Sequence, residues 1–146
     1  MSTRPYIKRG FNGHKHMNAK TITSADGNMI TLVSYKTEIL RYNKPKNTIE
    51  ILSAYDCYTG SRTTSRHISL FLRDNQLDCT LYHIRFMQLN YGFEYNLDKK
   101  WFFNPYTGEI IEYPDYCTLY RSVCKQIKAH PEHDIKPDYS WGYRQW

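Results

Sequence analysis

The chain has 146 residues, the size of one domain, and 20 Lys+Arg against 14 Asp+Glu leave a formal charge of +6. Leu, Ile, Val and Phe supply only 30 residues, close to the level of about 20% below which charged chains tend toward disorder, so 14 tyrosines must furnish much of the apolar area. No apolar run approaches the ~20 residues of a membrane helix, and the first ten residues lack a signal-peptide core, so the composition reads as a cytosolic, non-membrane chain.

Residues 1–20 hold Arg4, Lys8, Arg9, Lys15 and Lys20 with no acid, plus His14 and His16. That is five of the six net charges, interrupted by Gly10, Asn12 and Gly13, with neither helical nor strand period. This segment reads as a flexible basic arm. Residues 21–146 read as a single α+β domain, an antiparallel sheet with two helices packed on it. Thr21–Thr23 and Met29–Tyr35 flank Ala25-Asp26-Gly27-Asn28, whose Asp-Gly step favours a hairpin turn. Thr37–Tyr42 continues as a strand. After the polar loop 43–47, Thr48–Tyr55 is a strand with Ile49, Ile51 and Leu52 directed inward.

Thr63 or Thr64 is a fitting N-cap for a helix that runs to about Asp74. At 100° per residue, Ile68, Phe71 and Leu72 share its apolar face, and Arg62, Arg66 and Arg73 fall opposite. Residues 80–87 alternate, with Tyr82, Ile84 and Phe86 on one side and His83 and Arg85 on the other. A strand is expected there, because a helix would be hydrophobic on two sides. Phe93, Tyr95 and Leu97 alternate likewise. Lys100–Phe103 and Glu109–Tyr113 form a hairpin around Asn104-Pro105-Tyr106-Thr107-Gly108. A last helix opens at Pro114-Asp115 and ends before Pro131, with Tyr116, Leu119, Tyr120, Val123 and Ile127 as its apolar stripe and Arg121, Lys125 and Lys128 as a basic one. The tail 131–146 carries Tyr139, Trp141, Tyr143 and Trp146, read as closing the core rather than as a partner surface. Cys57, Cys79, Cys117 and Cys124 contain no C-x-x-C pair and are read as buried, reduced thiols.

The most pointed local pattern is Gly60-Ser61-Arg62-Thr63-Thr64-Ser65-Arg66-His67. It sets hydroxyls, arginines and an imidazole at a helix start, where unpaired N–H groups already favour an anion. Arg62, Thr63, Thr64, Arg66, His67 and Arg73 are therefore the candidate partner- or phosphate-binding residues, arginine because its planar fork donates two hydrogen bonds at once. The bland alternative is a capped helix with a solvated basic face. Arg4, Lys8, Arg9, Lys15 and Lys20, with Tyr6 and Phe11 among them, form a second candidate able to track a nucleic-acid backbone. His130-Pro131-Glu132-His133-Asp134 and His14-Lys15-His16 lack the ligand spacing of a structural metal site, so neither metal nor cofactor is expected. No G-x-S-x-G, P-loop, H-E-x-x-H or paired-carboxylate motif is present, and no catalytic residue is assigned.

Ser34-Tyr35-Lys36-Thr37-Glu38-Ile39 followed by Ser61-Arg62-Thr63-Thr64-Ser65-Arg66-His67-Ile68 resembles a pattern in small phage-encoded proteins of unknown function. There, a strand with S-Y-x-T-x-I precedes an S-x-T-T-S-x-H helix start. The similarity spans about residues 31–75. It implies a phage or mobile-element origin, placing the protein in the host cytoplasm, and carries no catalytic role. The first expectation is thus a non-enzymatic accessory protein that binds a host protein or nucleoprotein complex, for example to inhibit a defence nuclease. The alternatives are a DNA- or RNA-binding accessory protein using the basic arm, and a metal-independent phosphodiesterase centred on His67.

Overall fold

The computed structural model describes residues 4–53 and 62–129. Eight strands form one sheet whose spatial order follows the chain: β1 (Tyr6–Arg9), β2 (Ala19–Thr23), β3 (Met29–Ser34), β4 (Thr37–Asn43), β5 (Thr48–Ile51), β6 (Glu94–Asn96), β7 (Trp101–Phe103) and β8 (Ile110–Ile111). Every neighbouring pair is antiparallel. Helices α1 (Arg62–Asp74) and α2 (Leu81–Leu89) lie between β5 and β6 in sequence, and α3 (Tyr116–Ala129) follows β8. The mixed α+β character and antiparallel sheet are as expected; the helices number three among the described residues.

The strand period sorts the sheet into two faces. One carries the paired row Tyr42, Ile49, Tyr95, Phe102 and Ile111, with Leu32, Leu40 and Ile51 alongside. The other carries Thr31, Arg41, Glu50, Glu94 and Phe103, and there Arg41 and Glu50 form an ion pair at 2.9 Å. Ile68, Phe71 and Leu72 of α1 and Ile84, Phe86 and Met87 of α2 join the first face in a single core. Each phenylalanine fully buried there contributes about 1.5–3 kcal/mol. Ring packing centres on Phe102, whose centroid lies 4.1 Å from that of Phe86 and 5.0 Å from that of Tyr95. Ile39, the extra residue of a bulge at Leu32/Val33, is buried as well.

Several expectations held. Gly27 (φ +79°) turns the β2–β3 hairpin, and Asn104 organises the β7–β8 turn by accepting from the Tyr106 and Thr107 N–H groups. Helix α1 ends at Asp74 with the expected residues inward, and α3 buries Leu119 and Val123.

Others did not. Residues 81–87 are helical, most of α2, with Thr80 as the N-cap, and the reason is its surroundings. Ile84, Arg85, Phe86, Met87 and Gln88 are all buried, so a helix apolar on more than one side suits a site enclosed by the sheet, α1 and α3. Thr80 starts it with a capping box: its hydroxyl accepts from Tyr82 N–H at 3.2 Å, and its own N–H donates to His83 Nδ1 at 3.0 Å. The described part of the basic segment is no flexible arm. Tyr6–Arg9 pairs with Lys20–Thr23, β2 begins at Ala19, and Phe11 is buried in the core. Thr63 and Thr64 lie inside the first turn of α1 and are not its caps. Cys79, Cys117 and Cys124 are free, but Cys117 is exposed and the other two half-buried, so the expectation of uniform burial fails there. Cys57, the Gly60-Ser61 start of the anion pattern, the His130–Asp134 cluster and the aromatic tail lie outside the described residues.

Candidate anion-binding site

The two halves of the S-Y-x-T-x-I … S-x-T-T-S-x-H pattern meet in space. Ser34 is the last residue of β3, and its Oγ lies 2.8 Å from His67 Nδ1 and 3.4 Å from Thr64 Oγ1. Ser34, Thr64 and His67 are all buried, the imidazole to 1% exposure. Burial, and then the charge of Arg66, push the His67 pKa below its ordinary value, so the ring is neutral near pH 7. Ser34 thus fastens α1 to the end of β3. A serine next to an imidazole has the makings of a nucleophile and base, but this pair is enclosed in the packing and forms a clamp.

Directly after Ser34 the chain reverses in two residues, Tyr35 and Lys36, before β4 begins. Tyr35 takes φ +57°, the left-handed region that a bulky side chain rarely adopts. One hydrogen bond and one ring contact hold it: its N–H donates to Asn18 C=O at 2.8 Å, and its ring centroid sits 5.8 Å from that of His67. Strain of this kind costs about 1–3 kcal/mol and collects at functional positions.

The N-terminal segment is folded onto the same corner. Phe11 and His14 exchange backbone hydrogen bonds at 2.9 and 2.8 Å around Asn12-Gly13, a two-residue turn. Asn12 N–H donates to Asp74 Oδ2 at 2.9 Å, and Arg73 reaches the Asn12 carbonyl at 2.5 Å while pairing with Asp74 at 2.8 Å. Arg66 Nη2 lies 3.4 Å from His14 Nδ1. Lys8 Nζ donates to Asn12 Oδ1 at 2.9 Å. The basic segment and the arginine face of α1, 52 to 62 residues apart in the chain at these contacts, are therefore docked together.

A cavity of about 460 Å³ lies at the corner of the sheet where the end of β1, the start of β2 and the β3–β4 reversal meet, and its lining includes Arg9, Asn18, Lys20, Tyr35, Lys36 and Thr37 beside the apolar Met17 and Ala19. Its lining has three cations and no acid. Arg9 stands directly opposite Lys20 across the β1–β2 ladder. Like charges so placed repel and destabilise a sheet, and an anion between them removes that penalty. Asn18, Thr37 and the Tyr35 hydroxyl add hydrogen-bonding groups, and the Tyr35 ring adds a flat surface.

The residues singled out by sequence thus separate. Arg9 and Lys20 line the cavity. Arg4, Lys15, Arg62, Thr63 and Arg66 are exposed and lie outside its lining. Lys8 and Arg73 hold the N-terminal loop in place, while Thr64 and His67 are buried supports. Asn18, Tyr35, Lys36 and Thr37, with Met17 and Ala19, complete the lining, and the sequence singles out none of them as a site residue. The signal available for them is Ser34-Tyr35-Lys36-Thr37 itself, which carries strand character and half of the resemblance but no site chemistry on its own. Among the described residues no group of three His, Cys, Asp or Glu is arranged to hold a metal, and no helix is long and apolar enough to cross a membrane. Compared with family models, curated proteins and solved structures, the chain matches none.

Proposed function

We propose that the protein is a non-enzymatic accessory protein of phage or mobile-element type that binds single-stranded nucleic acid, alone or within a host nucleoprotein complex. One observation carries this reading: Arg9 and Lys20 oppose each other across a strand pair and share an acid-free cavity with Lys36. A backbone phosphate relieves their repulsion and accepts the arginine fork. Tyr35 supplies a stacking surface, which suits an unstacked base rather than a closed duplex. The cavity has room for one nucleotide-sized group, and the exposed Arg62 and Arg66 extend the positive surface along α1. Occupying such a strand, or the complex that holds it, blocks a host nuclease by steric exclusion and requires no chemistry.

Tyr35→Gly separates function from folding. Glycine removes the left-handed penalty of about 1–2 kcal/mol, so stability holds or rises. Loss of the ring weakens binding by about 1–3 kcal/mol per stacked base. Fluorescence anisotropy with a labelled single-stranded oligonucleotide, beside thermal melts, reads both. Unchanged affinity in Tyr35→Gly contradicts the stacking role.

A further inference from the structure

A second cavity, of about 380 Å³, opens between the start of α2, β7 and the start of α3, and its chemistry is opposite to that of the basic corner. Its walls include His83, Tyr95, Phe102 and Tyr113. Centroid to centroid, the His83 ring is 4.6 Å from Tyr95, Tyr95 is 5.0 Å from Phe102 and Phe102 is 6.2 Å from Tyr113, so the rings are connected, with Tyr95 and Phe102 buried and His83 and Tyr113 half-buried at the cavity.

The polar groups are mixed. Thr80 N–H donates to His83 Nδ1 at 3.0 Å, which makes that nitrogen the acceptor and leaves the ring proton on Nε2. His83 is therefore a neutral donor, its pKa pushed down to about 4 by burial. Tyr95 is held protonated, its pKa raised to about 12 by burial. Asp78 and Asp115 offer carboxylate acceptors, and Lys100 pairs with Asp78 at 2.6 Å. That ion pair is exposed, its side chains at 57% and 85%, so it exchanges readily with a competing hydrogen-bond partner. The two carboxylates and one ammonium leave the cavity with one net negative charge.

We propose that this cavity takes a neutral planar heterocycle bearing both donors and acceptors on its edge, a free nucleobase or nucleoside, and discriminates against the phosphorylated form. The half-buried His83 and Tyr113 rings, backed by the buried Tyr95 and Phe102, pack on the flat ring, His83 Nε2–H and the aspartates address its edge, and the one net negative charge of the lining offsets the pull of the two helix starts on a phosphate. The site is independent of the basic corner, and the failure of either leaves the other standing.

The test is a titration of the ¹⁵N-labelled full chain with adenosine, cytidine and adenosine monophosphate at low salt, read residue by residue. Adenosine or cytidine should shift the Thr80, His83 and Tyr113 resonances, and the monophosphate should need about fivefold more ligand to do so. Binding of the monophosphate at the basic corner is distinguished by shifts at Lys20, Tyr35 and Lys36. Asp115→Asn, which preserves the cap made to Thr118 N–H, should narrow the gap between nucleoside and nucleotide. The proposal is overturned if neither nucleoside shifts the cavity resonances at about 10 mM, a weaker affinity than the millimolar range. A monophosphate that binds there as tightly as the nucleoside, or a gap unaltered in Asp115→Asn, overturns the discrimination.

Discussion

Replacing Gly10 with alanine is expected to lower the unfolding free energy by about 2–4 kcal/mol and to release the N-terminal loop from α1. Gly10 sits at φ +67°, and a Cβ built there falls 2.6 Å from the His14 carbonyl oxygen and 2.7 Å from that of Lys15. Both are backbone atoms, so no side chain can swing aside. The same residue donates its N–H to Ala19 C=O at 2.8 Å, closing the loop that carries His14 and Lys15 back to the start of β2. An added methyl group must open that loop. The opening loosens the Asn12 contacts to Arg73 and Asp74 and moves Arg9, at the end of β1, away from Lys20. Urea unfolding checks the stability, and amide exchange at Phe11 and His14 checks the loop. A change below about 0.5 kcal/mol, the ordinary scatter of surface substitutions, contradicts this account of the corner.

The second large effect is on pH. His83 has its pKa lowered from 6.5 to about 4, first by burial, with the charge of Lys100 adding to the fall and Asp78 opposing it. His67 is shifted in the same direction. A base with a depressed native pKa protonates first in the unfolded chain, so its contribution is intact above pH 6.5 and drains as the pH falls toward 4. For His83 alone the loss is about 3 kcal/mol. Stability is therefore expected to be flat in these groups above pH 7 and to decline steeply between pH 6.5 and 4. The carboxylates of Asp26, Asp78 and Asp115, held below their ordinary range by hydrogen bonds, lose their contribution only in stronger acid. His83→Gln retains the side-chain acceptor of the capping box and removes the titration, so its profile should be markedly flatter over this window. Equal slopes for the two proteins contradict the assignment.

Local rules carried much of the fold. The Asp26-Gly27 step announces the β2–β3 hairpin, the spacing of Ile68, Phe71 and Leu72 marks the buried side of α1, and the stripe around Leu119 and Val123 marks α3. Tertiary context hid the rest. The alternation in residues 80–87 is real, but α2 is enclosed on several sides, and enclosure erases the amphipathic period from which a helix is read. The basic segment is ordered by pairing with a strand that starts only at Ala19, and its Asn12-Gly13 turn signal lies among charges that suggested an unstructured arm. The Tyr35-Lys36 reversal has neither glycine nor asparagine to announce it, because the position keeps a tyrosine against its backbone preference.

The candidate site follows the same division. Arg9 and Lys20 were legible as charges, but their position opposite each other is a property of register, and Lys36 joins them only once the chain reverses at Tyr35. Arg73 and His67 were selected for their chemistry and turn out to be scaffold: one holds Asn12, the other Ser34. These placements also decide how the site is best probed. Removing residues 1–20 deletes β1 and the first residues of β2, so point substitutions at Arg9 and Lys36 test the surface while leaving the sheet in place.

The most direct measurement is the affinity of the full chain and of the Arg9→Glu/Lys36→Glu variant for a labelled single-stranded oligonucleotide across a series of salt concentrations. With about three phosphates neutralised, log K for the unaltered chain should fall against log salt with a slope near −2. The variant, with its cross-strand repulsion removed, should melt no lower and yet lose affinity by about tenfold or more together with most of that slope. Equal affinity and equal slope in the two proteins, or no binding by the unaltered chain at low salt, would contradict nucleic-acid recognition at this corner.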